Sequence, residues 1–122
     1  MNALTMVRVA LVLLAIGALG GIVMAIVRLS RNSNPPTWLA MLHGLLAAAG
    51  VTLLLYAAFA VGLPTLADVG LAFLLVAALG GLVLNLRYHW QQQLISPALM
   101  VTHAVLAVIG FVLVLLPAWS GW

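Results

Sequence analysis

The sequence contains no cysteine, no lysine and no glutamate, and its only acid is Asp68. Without cysteine there are no disulfides, no thiolate metal ligands and no thiol nucleophile. With one carboxylate there is no carboxylate pair, and Ser-His-Asp sets and phosphate-binding glycine loops are also missing. Catalysis by protein side chains alone is therefore not expected. Charged residues make up 4% of the chain, against about 25% in average soluble domains. Five charged side chains do not cover a water-facing surface. The 122 residues allow one domain, 1–122, with no room for a separate soluble module.

What fills the chain is apolar: 67% of the residues are hydrophobic. Four stretches, Leu4–Leu29, Thr37–Leu63, Leu66–Tyr88 and Pro97–Trp119, are long enough for a hydrocarbon core that takes roughly 20 helical residues to cross. The first is too long for the core of a cleaved signal peptide and is expected as a retained helix. Three breaks separate the spans: Arg31 to Pro36, Gly62 to Thr65, and Trp90 to Ser96. Asn34 before Pro35 and Ser96 before Pro97 fit an N-cap followed by proline in the first turn. Thr65 with Asp68 three residues on resembles a capping box.

The net charge of +3 does not point to nucleic acid. Arg28, Arg31 and Arg87 sit at expected membrane boundaries and form no basic stripe. They lie at the first and third connections, and Arg8 lies alone on the other side. The positive-inside rule then places those connections in the cytoplasm and both termini outside. Trp38, Trp90, Trp119 and Trp122 fall near the expected interfaces, as an aromatic belt does.

A shift of 60 residues aligns the two halves without a gap. Ala18, Leu19, Gly20, Gly21 and Val23 match Ala78, Leu79, Gly80, Gly81 and Val83. His43, Leu46, Ala47, Gly50 and Leu53 match His103, Leu106, Ala107, Gly110 and Leu113. The expected fold is an all-α integral membrane four-helix bundle of two tandem hairpins, 1–63 and 64–122, related by a pseudo-two-fold axis along the membrane normal.

Ionisable side chains inside a span point to function. His43 and His103 lie inside theirs, each about 9 Å from the start of its helix. Gly50 and Gly110, seven residues on, share nearly the same face. Gly20, Gly21, Gly80 and Gly81 lie at a similar depth on the other two helices. If the helices form a square with axes about 8–10 Å apart, the diagonal is about 13 Å. That distance accommodates one metal between two imidazoles bonded at about 2 Å. Two histidines make a poor site for a bare metal, whereas a haem supplies four ligands itself and needs two more. Its edge would rest on the glycines, and its carboxylates would reach Arg28, Arg31, Arg87 and His89. Histidines that only hydrogen-bond across helices, or another pigment or ligand, remain alternatives. His89 has no counterpart in the repeat, where Leu29 stands, so it is not expected as an axial ligand.

The segments Leu42-His43-Gly44-Leu45-Leu46-Ala47 and Thr102-His103-Ala104-Val105-Leu106-Ala107 resemble those of the small four-helix bacterial membrane b-type cytochromes, the cytochrome b561-like class. The resemblance implies a multi-pass protein of the bacterial inner membrane. It would carry one bis-His haem b on His43 and His103 and transfer electrons with a quinone, quinol or similar carrier. Any enzymatic activity would be a haem-dependent oxidoreductase reaction, linked to quinone or superoxide. Many relatives hold two haems on four histidines; the single pair here implies one, so a route across the membrane would require a homo-oligomer or a larger complex. Two other functions compete: a structural or assembly subunit that packs through its small-residue faces, and a small transporter, against which the lack of a mid-membrane acid or lysine argues.

Overall fold

The computed structural model describes residues 2–122. Among them the regular structure is entirely helical: α1 (Ala3–Arg31), α2 (Thr37–Ala60), α3 (Thr65–Val83) and α4 (Pro97–Ser120). A π-helical turn, Leu84–His89, carries α3 onward to the third connection. With that extension, all four helices are long and apolar enough to cross a membrane.

The helix boundaries follow local chemistry. Asn2 caps α1 by accepting from the Thr5 amide at 2.8 Å. Asn32 ends α1 in the left-handed region at φ 49°, a conformation that asparagine tolerates. Ser96 caps α4 as expected, accepting from the Leu99 amide at 3.4 Å, with Pro97 in the first turn. The other two expected caps are not formed. Pro36 and Pro64 stand at the cap positions of α2 and α3, where no side chain caps the helix. Thr65 already belongs to α3 and Asp68 is exposed. Asn34 is used elsewhere, as described below. Helix α2 also stops three residues before the expected end. The amides of Val61 and Gly62 both fold back on the Ala57 carbonyl, and Gly62 turns at φ 92°.

The chain forms two hairpins, α1 along α2 and α3 along α4, which meet through narrower α1–α4 and α2–α3 seams. The outer surface is apolar: Leu19, Phe59 and Trp119 are 65%, 88% and 84% exposed. In water such a surface would aggregate; in a bilayer it faces like solvent. The buried cluster joins Val7, Leu11 and Leu14 of α1, Leu54 and Ala57 of α2, Leu71 and Leu74 of α3, and Val114 and Ala118 of α4. These residues come from the first halves of α1 and α3 and the second halves of α2 and α4, so the tight core fills the end of the bundle that carries the termini. In lipid, such contacts hold helices together by close packing rather than by exclusion of water.

A polar clasp holds the opposite end. Arg28 is buried, and its Nε donates to the Ile95 carbonyl at 2.8 Å while Nη1 donates to Asn32 Oδ1 at 3.2 Å. Asn34 Nδ2 donates to the Gln93 carbonyl at 2.7 Å, and Asn34 Oδ1 accepts from the Ile95 amide at 3.0 Å. His89 Nε2 donates to the Pro35 carbonyl at 2.9 Å. The first and third connections are thereby tied to each other.

Candidate functional site

Between the apolar core and the polar clasp lie His43 and His103, both half-buried. Their ring centroids are 6.2 Å apart, with planes inclined at 77°. His43 Nδ1 lies 2.7 Å from the Gly17 carbonyl of α1, and His103 Nδ1 lies 2.6 Å from the Ala77 carbonyl of α3. A carbonyl only accepts, so Nδ1 carries the proton on both rings. For the neutral rings, the lone pair is then on Nε2. Neither Nε2 has a hydrogen-bond partner among the described residues, and neither is a sealed, unsatisfied atom. Both therefore remain reachable rather than sealed.

The glycines explain how the rings reach those carbonyls. A helical carbonyl points along the axis toward the residue four positions on. A ring that bonds the carbonyl of residue 17 or 77 must therefore lie against residue 21 or 81. A Cβ on Gly21 would stand 3.0 Å from His43 Cε1 and 3.3 Å from its Nδ1. A Cβ on Gly81 would stand 3.1 Å from His103 Cε1. Both positions seat an imidazole. Gly20 and Gly80 are less crowded, with the nearest atoms of their histidines at 3.8 Å.

Gly50 and Gly110 do not face the space between α2 and α4. A Cβ on Gly50 would meet Leu14 Cγ at 2.7 Å and the Ala10 carbonyl at 3.1 Å. A Cβ on Gly110 would meet the Gly70 carbonyl and Leu74 Cγ, each at 2.8 Å. These two glycines let each hairpin close on itself. The stripes that begin at the histidines thus face the neighbouring helix of the same hairpin.

The boundary residues separate into two groups. Arg28 and His89 are engaged in the clasp, while Arg31 and Arg87 form no side-chain hydrogen bonds among the described residues, and both are exposed. Thr102 bonds back to the Ala98 carbonyl at 2.8 Å. A lateral groove of about 290 Å³ along the α3–α4 seam reaches His103 past Gly80, Val83, Leu99 and Thr102.

Several of these partners leave no trace in the sequence. Gly17 and Ala77 act through backbone carbonyls, and they differ in residue type at equivalent positions of the repeat. The Ile95, Gln93 and Pro35 carbonyls are equally silent. Asn34 had a visible signal, an asparagine in a turn, but the same signal marks a helix cap.

The donor set limits the chemistry. No group of three or more His, Cys, Asp or Glu side chains that could hold a metal ion occurs among the described residues. The site offers two imidazole nitrogens from opposite hairpins, too few to hold a bare metal ion by themselves. Comparison with protein-family models, with curated proteins and with solved structures finds no match for the chain.

Proposed function

We propose that the chain is a b-type cytochrome of a bacterial inner membrane, in which His43 and His103 are the axial ligands of one haem b. The observation that carries this reading is the state of the two imidazoles. Each Nδ1 is held by a backbone carbonyl, an arrangement that orients a metal-bound histidine and raises its basicity. Each Nε2 has no hydrogen-bond partner among the described residues. Two imidazoles bonded at about 2 Å to opposite sides of one metal have ring centres about 6 Å apart. The ring centres here are 6.2 Å apart. A haem supplies one-electron chemistry, and a quinone or similar carrier dissolved in the bilayer is its partner in this reading.

The 60-residue repeat supports a pseudo-two-fold relation between the hairpins, since each histidine bonds a carbonyl 26 residues earlier in the chain. Arg28, Arg31 and Arg87 lie at the end that the positive-inside rule assigns to the cytoplasm, with both termini on the periplasmic side. Arg31 and Arg87 are the residues free to meet haem carboxylates.

The test is a reduced-minus-oxidised visible spectrum of the purified full chain, expressed with ample haem. The expected result is a b-type spectrum that is lost in His43→Ala and in His103→Ala. Absence of haem bands, or haem bands retained in the double variant, would overturn the reading. A second reading rests on the near-perpendicular contact of the two rings, a favourable arrangement for aromatic pairs. There the histidines are a packing pair, and their replacement lowers stability without removing any chromophore.

A further inference from the structure

A second groove, of about 550 Å³, runs along the α1–α4 seam at the end that carries the termini. Its walls are Leu11, Val12 and Ala15 of α1 and Phe111 and Leu115 of α4, with Arg8 and Trp119 at its mouth. Arg8 is the exception to the distribution of charge in this chain. It lies about 8 Å inside the start of α1, on the side without the other arginines. Its Nε and Nη2 donate to the Ala118 carbonyl at 3.3 and 3.2 Å, and that neutral oxygen is its only hydrogen-bond partner among the described residues. Arg8 is exposed, and the remaining N–H groups of its guanidinium have no partner among the described residues, so a cation with donors to spare lines the head of a largely apolar groove.

We propose that this groove binds a phospholipid with an anionic headgroup. Arg8 pairs with the phosphate, and one acyl chain lies along the seam between the hairpins. From Arg8 to Ala15 the groove extends about 10 Å along the helix, roughly the upper third of a hydrocarbon core about 30 Å thick. Arginine suits this role because its fork is already oriented by Ala118 and still presents donors to a phosphate. The small side chain of Ala15 leaves the floor of the channel open. The site is independent of the histidine pair.

The experiment measures tryptophan fluorescence of the full chain in vesicles whose lipids carry brominated acyl chains. Phosphatidylglycerol is compared with phosphatidylcholine at equal mole fraction. Trp119→Phe identifies the part of the quenching that reports the groove. We expect that part to be at least twofold stronger with the anionic lipid. The preference should vanish in Arg8→Gln, persist in Arg8→Lys, and fall in Ala15→Phe, which fills the channel and leaves Arg8 in place. Equal quenching by the two lipids, or a preference that survives both Arg8→Gln and Ala15→Phe, would overturn the proposal. If Arg8→Gln does not fold, the Arg8→Lys and Ala15→Phe pair decides.

Discussion

Adjacent glycines at the histidine level should respond oppositely to the same change. Alanine in place of glycine inside a helix is favourable by up to about 1 kcal/mol. At Gly20 the added Cβ meets His43 and Leu39 at 3.8 Å, an ordinary contact. Gly20→Ala should therefore be neutral or stabilising. At Gly21 the added Cβ would stand 3.0 Å from His43 Cε1, so the ring must give by a few tenths of an ångström. Its Nδ1 bond to the Gly17 carbonyl, now 2.7 Å, is thereby strained. Overpacking costs about 1–3 kcal/mol, and weakening of the hydrogen bond adds part of its worth of about 0.5–1.5 kcal/mol. After the helix-propensity gain, Gly21→Ala should destabilise by about 1–3 kcal/mol. Reversible unfolding in detergent, followed by circular dichroism, measures both variants against the parent. The haem reading adds a second readout. Loss of a partner that orients a metal-bound histidine typically costs 10–100-fold in affinity, so Gly21→Ala should release haem where Gly20→Ala does not. The reasoning fails if the two variants lie within about 0.5 kcal/mol of each other, a spread that surface-like substitutions show.

The same logic extends to other positions. Gly110→Ala should cost more than Gly50→Ala in the same unfolding assay, because the closest atoms to a Cβ at 110 include the Gly70 backbone oxygen at 2.8 Å, whereas the closest atom at 50 belongs to the Leu14 side chain at 2.7 Å. A side chain gives way more readily than a helix backbone, so a difference of about 1 kcal/mol or more is expected. In the clasp, Asn34→Asp keeps an acceptor for the Ile95 amide but sets an oxygen against the Gln93 carbonyl, and Asn34→Ala loses both bonds. Both should speed amide exchange at Ile95, Asn34→Ala by more, with a stability loss of about 1–3 kcal/mol. Arg28→Lys should open the same connection, since lysine does not present the fork that spans the Ile95 carbonyl and Asn32; unchanged exchange at Ile95 would show that Arg28 serves topology alone.

The four spans were legible because a membrane leaves a strong signal: in lipid every backbone polar group needs an internal partner, so long apolar runs become helices. The end of α4 nearest Ser96 was legible for the same kind of reason, since serine before proline has few other uses. The starts of α2 and α3 were legible in position, at Thr37 and within one residue of Leu66, but not in their capping, because a proline stands at each cap position, Asn34 bonds the third connection and Thr65 lies inside α3. The π-helical turn at Leu84–His89 was also invisible. No residue pattern announces it, and it carries His89 to the Pro35 carbonyl of the other hairpin.

At the site, the repeat picked out the histidine pair and the glycines but gave no direction to the faces they share. The structure assigns those faces to different partners. Gly21 and Gly81 back the imidazoles, whereas Gly50 and Gly110 admit Leu14 and Leu74. The sequence also left open how the two hairpins are joined. They are fastened at both ends by unlike means: aliphatic packing around Leu54 and Val114 near the termini, and the hydrogen bonds of Arg28, Asn34 and His89 at the other end. Between these fastenings each histidine is held by its own hairpin, through the carbonyl of Gly17 or Ala77. The distance between the two rings is therefore set by the packing of hairpin against hairpin, while the orientation of each ring is set within one. A substitution in the clasp should change the separation of the rings without disturbing the Nδ1 bonds. One at Gly21 or Gly81 should turn a single ring and leave the hairpins in place. Spectra of a bound haem would register the first as a change in both axial bonds and the second as a change in one.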